Sequence, residues 1–372
     1  MSKKKILIVT YVFYPENSPR AFRATELAKE LIRQGHEVTV YAPETPGVEE
    51  LLKEYPIRFI SMGKMKWRVP LLAGKSKPVV LINRAMVRLL KLFLEFPLIE
   101  LFFKVSKYLR QAEKDYDLLI SIAVPFPIHW GVAAVWRKGS AANPAKVWVA
   151  DCGDPYMGQE NDTFRPPFYF GWVEKWFCRK ADYLAVPTPT SYRGYYPEFH
   201  SKIKVIPQGF RFEDVVTTAT RKSDDGKVRF GYGGSFIPGR RDPRELLALL
   251  TTLPHEYEFH IYTENKYLVE PYAVLDSRIV LHDPIPRLEL LKQFSSFDFV
   301  INFGNKGTAQ TPSKLIDYAI INKPILQIET GALDEEAVIN FLTGDYSQAF
   351  RVENPDQYRI DNVVRQFLAL VP

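Results

Sequence analysis

Cysteine is nearly missing from this sequence, one long stretch has no acid, and no apolar run is long enough to cross a membrane. Only Cys152 and Cys178 occur in 372 residues. Two thiols cannot build a disulfide framework or a zinc site made mainly of thiolates. No segment approaches the roughly 20 uncharged apolar residues of a membrane span. The opening MSKKKILIVTYVFYPE is basic and then apolar, but it reaches Tyr14, Pro15 and Glu16 with no small-residue cleavage site. It reads as a first strand, not a signal peptide, and a cytoplasmic location is the expectation. Glycine is missing from the loop after that strand, residues 12–19, and no Walker loop occurs anywhere. A dehydrogenase-type dinucleotide fold carries Gly-x-Gly-x-x-Gly at that point, so hydride transfer is disfavoured. No His/Cys cluster has metal-ligand spacing, so neither a required metal nor a resident cofactor is expected.

Hydrophobic residues make up 46% of the chain and charged residues 25%, the balance of a globular protein. Its length is too great for one ordinary core and suits two domains. The net charge of +6 is unevenly placed. Residues 55–94 hold nine bases (Arg58, Lys64, Lys66, Arg68, Lys75, Lys77, Arg84, Arg88 and Lys91) and no Asp or Glu, and the rest of the chain is slightly acidic. An anionic partner is therefore expected at this segment and not over the whole surface.

Strand and helix patterns alternate. Apolar runs at 6–11, 38–41, 118–122, 147–150 and 183–186 read as buried parallel strands. Helical stripes at 20–34, 127–136 and 167–180 lie between them. After a Pro-, Tyr- and Gly-rich pause, PTPTSYRGYYPEFHSKIKVIPQGF, the rhythm restarts with strands at 228–232, 258–262, 279–281, 299–302 and 325–328. The expected fold is α/β: two Rossmann-like, doubly wound parallel-sheet domains facing a cleft. The expected limits are 1–200, 201–354 and a C-terminal helix within 355–372 that packs back on the first domain. Ligands in such sheets lie beyond the carboxyl ends of the strands.

Two such loops carry chemistry. The first runs Gly231-Tyr232-Gly233-Gly234-Ser235 and on to Gly239-Arg240-Arg241-Asp242-Pro243. Glycines at a strand end let a backbone approach an anion closely, and the arginines add charge, so a diphosphate is the natural guest. A tight turn with solvated arginines explains the same residues. The second is Thr311-Pro312-Ser313-Lys314-Leu315-Ile316-Asp317, where a helix start attracts anions. Lys314 and Asp317 share a helix face at i and i+3, a cation for phosphate beside a carboxylate for ribose. An ordinary surface ion pair is the other reading.

Five stretches in order carry a family likeness: ILIVTYVFYPENSPRAFRATELAKELIRQGHEVTVYAP, then DYDLLISIAVPFPIHWGVAA with VWVADCGDPY, KIKVIPQGF, YGGSF with GRRDP, and TPSKLIDYAIINKPIL. Nearly the whole chain resembles nucleotide-sugar glycosyltransferases of the GT-B fold, specifically glycosyltransferase family 4. The resemblance implies a donor diphosphate at Gly233, Gly234 and Ser235. It implies that Arg240 or Arg241, with Lys314, neutralises the leaving group, that Thr311, Pro312 and Ser313 line the phosphate, and that Asp317 holds the ribose. The base would lie near His282 to Ile285. His129, Asp151 and Asp154 become candidates for the acceptor or the reacting sugar, with His129 and Asp154 as catalytic groups. Asn17 and Ser18 stand on the acceptor side, where relatives carry glycines. Many relatives have a Glu where this chain has Ala309, so sugar recognition passes to Asn305, Thr308 or Gln310. The co-substrate implied is a nucleoside diphosphate sugar and the acceptor a polysaccharide, lipid-linked or other cell-surface glycan, with retention of configuration. A nucleotide-sugar epimerase of the same fold and a non-catalytic relative are the alternatives.

His129 also suits a cap or packing role, and Asp151 and Asp154 a cap and a turn. Trp172, Trp176 and Phe177 fall on one amphipathic helix and read as core. Within 55–110, Arg84, Arg88 and Lys91 recur at i, i+4 and i+7 beside a Leu/Phe/Met face, the pattern of a helix on an anionic membrane surface. That suits a protein peripheral on the inner face of the plasma membrane. Simple packing of that face on the sheet is the competing reading, and no nucleic-acid motif occurs.

Overall fold

The uncharged run Ile6 to Val9 is fully buried, as a strand covered on both faces must be. Its side chains alternate: Leu7 and Val9 enter one core, Ile6 and Ile8 the other. In the computed structural model, which describes residues 2–74, 76–153, 155–158, 166–215, 225–304 and 313–372, the chain divides into two units. One comprises Met1–Phe210 with Tyr358–Pro372, the other Arg211–Gln357.

In the first unit the elements run β1 (Lys5–Thr10), α1 (Pro19–Arg33), β2 (Glu37–Ala42), α2 (Val48–Glu54), β3 (Arg58–Ser61), α3 (Lys77–Leu94) and α4 (Glu100–Gln111). They continue with β4 (Tyr116–Ile122), α5 (Pro127–Val135), β5 (Ala145–Asp151), α6 (Tyr169–Lys180), β6 (Tyr183–Val186) and β7 (Ile203–Val205). The seven strands are parallel in the order β3-β2-β1-β4-β5-β6-β7. Because β7 pairs with β6, the unit runs on through residue 210.

The second unit holds β8 (Val228–Gly233), α7 (Arg244–Thr252), β9 (Tyr257–Tyr262), α8 (Glu270–Leu275), β10 (Ile279–His282) and α9 (Arg287–Ser295). After these come β11 (Phe299–Phe303), α10 (Ser313–Ile320), β12 (Ile325–Ile328) and α11 (Glu335–Leu342). Its strands are parallel in the order β10-β9-β8-β11-β12. Phe230 on β8 stacks on Phe259 at 4.7 Å and on Phe299 at 4.5 Å, an aromatic ladder that locks the register of three strands.

The last helix, α12 (Ile360–Leu368), returns to the first unit. Ile360, Val363, Val364, Phe367 and Leu368 repeat at helical spacing and enter the core with Ala24, Leu27, Ala28 and Leu31 of α1. Phe210 and Ile360 fix the return, with Phe210 N–H donating to Tyr358 O at 2.8 Å and Ile360 N–H to Phe210 O at 2.9 Å. Phe367 is 1% exposed, and its ring lies 5.2 Å from the Arg23 guanidinium carbon. Phe367→Ala is expected to destabilise the first unit by about 3–5 kcal/mol. All six tryptophans lie before residue 211, so tryptophan fluorescence during denaturant unfolding reads that unit alone.

Candidate functional site

β8 ends beside the ladder at Tyr232, Gly233 and Gly234. Gly234 has φ 147°, and a Cβ there would stand 1.5 Å from Lys314 Nζ. The missing side chain is thus what lets the lysine reach the strand end. Gly234 N–H itself donates to Tyr262 O at 2.8 Å, so the glycine supplies approach space and not that amide. Lys314, in the first turn of α10, donates to Tyr232 Oη at 3.4 Å and lies 4.6 Å from the ring centre. Burial, reinforced by neighbouring Arg241 and opposed by Asp317, lowers its ammonium to about 8.

Arg241 is placed by a tight turn in which Arg241 N–H donates to Ile237 O at 2.9 Å and Ile237 N–H to Arg241 O at 3.1 Å. Its Nε is buried with no hydrogen-bond partner among the described residues. Two cations therefore crowd one tyrosine, and one of them keeps an unspent donor, an arrangement suited to a polyanion. Arg240 is exposed; its N–H donates to Ile237 O at 3.1 Å and its carbonyl accepts from Thr330 Oγ1 at 3.0 Å. Ser235 is exposed and its carbonyl accepts from Tyr232 Oη at 3.2 Å. Asp242 anchors the same turn: it accepts from Gly239 N–H at 3.0 Å and pairs with Arg244, which holds its carboxyl down to about 2.

Asp317 is brought to Lys314 as the helical spacing predicts, but it is already bonded to Arg287, whose Nε donates at 2.9 Å. Burial raises the Asp317 carboxyl, and Arg287 and Lys314 pull it back. The sequence reading passed over Arg287. The signal for it was a base opening the helix after β10, in the loop assigned to the nucleotide base. His282, at the end of β10, stacks on Tyr262 at 4.4 Å and shares a 3.0 Å hydrogen bond with His260, and burial lowers its imidazole. Ile285 packs half-buried beside Leu291, Phe294 and Tyr262. Ser313 begins α10. Thr311 and Pro312, with Asn305, Thr308, Ala309 and Gln310, lie outside the described residues, as does Asp154.

In the first unit Asp151 is 2% exposed and ion-paired to the equally buried Arg23 at 2.8 Å. Arg23 also donates to Pro207 O and to Ile206 O, tying the end of β5 to α1 and to the chain after β7. His129 is fully buried, with Nδ1 2.8 Å from Ser121 Oγ, which also accepts from Trp148 Nε1 at 2.8 Å. Burial lowers His129 to about 3, so it is neutral over the ordinary pH range. Its Nε2 has no partner among the described residues. Ser18 caps α1, its Oγ accepting from Ala21 N–H at 3.3 Å, and Asn17 is exposed. Glu174, which sequence reasoning missed, reaches from α6 to accept from Tyr156 N–H at 3.2 Å in the loop after β5, and burial lifts its carboxyl to about 7. Phe177 is core as expected, but Trp172 is 68% exposed, because it occupies the opposite face of α6 from Phe170, Glu174 and Phe177.

Among the described residues no group of three or more His, Cys, Asp or Glu could hold a metal. The Asp115-Tyr116-Asp117 triplet lies at the entry to β4, where Asp115 pairs with Lys5 at 2.5 Å and Asp117 with Lys146 at 2.7 Å, at the amino ends of the strands and away from the ligand-side loops.

The sequence pattern of Glycosyltransferase Family 4 matches residues 21–213. The chain belongs to glycosyltransferase family 4. It is therefore a glycosyltransferase, and its two parallel sheets are those of the GT-B fold. The solved structures similar to it include the lipopolysaccharide outer core galactosyltransferase WaaB in its apo form, with a TM-score of 0.58, 10% identity and 99% of each chain covered. The Anabaena protein HepE, solved with UDP and glucose, superposes with a TM-score of 0.60 at 13% identity over 98% of each chain. The UDP-GlcNAc 2-epimerase of Methanocaldococcus jannaschii has a TM-score of 0.55 at 9% identity, covering 98% of this chain and 99% of that one. These likenesses carry the fold, which transferases and epimerases share. No curated protein matches the family 4 chain in sequence.

Lys314 makes the site pH-sensitive. Its cation is present below about pH 8 and lost above. Affinity for UDP, used as a probe anion, is expected to be level from pH 6.5 to about 7.5 and to fall by up to about tenfold per pH unit above 8. Lys314→Met should bind more weakly with a flat profile across that range, as read by titration calorimetry.

Proposed function

We propose that this family 4 enzyme moves a hexose from a nucleoside diphosphate sugar, with UDP as the nucleotide, to a polysaccharide, lipid-linked or other cell-surface glycan. The observation that carries the reading is the convergence of Lys314 and Arg241 on Tyr232 at the end of β8, with the Arg241 Nε donor unspent among the described residues. Breaking the sugar–phosphate bond leaves negative charge on the diphosphate, and cations fixed in advance lower that barrier. Lys314 and Arg241 can do this without a divalent ion, so the reaction is read as metal-independent; retention of configuration is read from the family likeness alone. Arg240, more exposed, would close on the phosphates from outside, together with Thr311, Pro312 and Ser313. Asp317, held by Arg287, would accept from the ribose hydroxyls, and the segment from His282 to Ile285 would face the base. Asp151 and His129, both buried, would shape the acceptor side and not touch it, leaving Asp154, Asn17 and Ser18 as its polar groups. The unit Met1–Phe210 with the returning Tyr358–Pro372 is read as the acceptor half, and Arg211–Gln357 as the donor half.

The solved structure with UDP and glucose supports the choice of nucleotide, and the family match favours transfer over epimerisation. Among the described residues no helix is long and apolar enough to cross a membrane. We read the enzyme as cytoplasmic and peripheral on the inner face of the plasma membrane, contacting an anionic surface through residues 55–110, with no nucleic-acid partner.

Product analysis tests the reaction. Incubation with UDP-hexoses and a panel of glycan acceptors should give UDP and an extended glycan, whereas an epimerase would return a UDP-sugar isomer with no acceptor present. Lys314→Ala should lower kcat/KM by about a hundredfold or more with the fold intact, and an unchanged value would remove the lysine from the site.

A further inference from the structure

Helix α3 buries none of its 18 residues. At about 100° of rotation per residue, twelve of its side chains sort into three stripes, with exposed Val80, Val87 and Leu94 on a further apolar strip between the protein-facing side and the bases. Val79, Asn83, Met86 and Leu90 are half-buried and form the side nearest the protein, with the Asn83 amide bonded both ways to the Leu72 backbone at 2.9 and 3.0 Å. Lys77, Arg84, Arg88 and Lys91 form a second stripe. Leu81, Ala85, Leu89 and Phe93 form a third, in which Leu81 is 69% exposed. The basic and apolar stripes flank the direction pointing straight away from the protein.

The C-terminal end of α3 meets a second exposed apolar feature. Tyr169 donates its hydroxyl to Phe93 O, and its neighbours Phe168 and Trp172 are 74% and 68% exposed with ring centres 5.5 Å apart. At the other end Leu71 and Leu72 are exposed, while Trp67 stacks on Phe96, just past the C-terminus of α3, at 5.8 Å. The Glu100 carboxylate holds the backbone before α3, accepting from Lys66 and Trp67 N–H at 2.7 Å each. The segment is tied down at both ends, and among the described residues its outer face stays exposed.

We propose that α3 and the start of α6 form one bilayer-docking surface: Leu81, Leu89 and Phe93 enter the acyl boundary of an anionic membrane, the basic stripe pairs with lipid phosphates, and Phe168 and Trp172 anchor the far edge. The surface deepens the membrane reading of residues 55–110 and carries it beyond that segment to α6. Charge decides the occupant. Residues 55–94 hold no acid, so a symmetric pairing of two copies through α3 would set basic stripe against basic stripe. An anionic bilayer answers both stripes at once. Exposed tryptophan beside a basic amphipathic helix fits the headgroup level, where one side of the ring is apolar and the other wet.

The test is co-sedimentation of the full chain with vesicles of phosphatidylcholine alone or with added phosphatidylglycerol, with UDP affinity measured on the same samples. Wild type should partition at least about tenfold better onto the anionic vesicles and lose that preference in high salt. Leu81→Asp with Leu89→Asp, or Arg84→Glu with Arg88→Glu, should abolish the preference while UDP affinity stays unchanged. Brominated acyl chains should quench tryptophan fluorescence, and Trp172→Phe should remove a large part of that quenching. Equal partition of wild type and variants overturns the proposal. So does a wild-type dimer that ignores vesicles and that the Leu81/Leu89 variant turns into a monomer. Vesicle binding as expected without any UDP affinity supports the docking surface and contradicts the donor reading alone.

Discussion

Two cations packed against one tyrosine, at the end of a central parallel strand, carry an electrostatic cost that the rest of the second unit is arranged to bear. Burial and like charge both push Lys314 toward losing its proton, and Asp317 is the carboxylate that opposes this. Arg287 in turn holds that carboxylate, so it does not collapse fully onto the lysine. The tyrosine is fixed by the ring of Phe236, stacked at 4.6 Å, and by Phe303, edge-on at 5.0 Å. A polyanion arriving there relieves the repulsion between Lys314 and Arg241, which is the differential binding that favours departure of a diphosphate. The glycine at 234 is the sequence condition for all of it.

The first unit is organised by a different buried charge. Arg23 and Asp151 are each 2% exposed, and a pair so deep earns its place through geometry more than through net stability. It joins α1, the end of β5 and the chain after β7, and α12 lays Phe367 over the same guanidinium. Glu174 steadies the next stretch of the β5 loop. The ligand-side loops of this unit therefore hang from buried polar anchors, and the amino ends of its strands carry exposed pairs such as Lys5–Asp115, which contribute little.

The alternation of apolar runs and helical stripes was enough to read both sheets, because parallel strands buried on two faces leave an unmistakable pattern in residues such as 6–9 and 118–122. β3 and β7 were harder. Arg58–Ser61 sits inside the basic stretch with no buried residue, and Ile203–Val205 is only three residues long at a sheet edge. At the site, Lys314 and Asp317 could be paired from helical spacing alone, and Gly234 from its place at a strand end. Arg287 could not, since it meets Asp317 only through the fold, 30 residues away in sequence. Trp172 shows the same limit in reverse: three aromatics on one helix read as core, yet their positions around α6 put one of them outside.

The central claim is that the second unit holds a nucleoside diphosphate through its own cations. Titration calorimetry of the full chain with UDP, GDP, dTDP, CDP and NAD, each in excess chelator, tests it most directly. Selective binding of UDP without a divalent ion, and none of NAD, is the expected result. Binding of no nucleoside diphosphate, or binding that appears only when a divalent ion is restored, would contradict it.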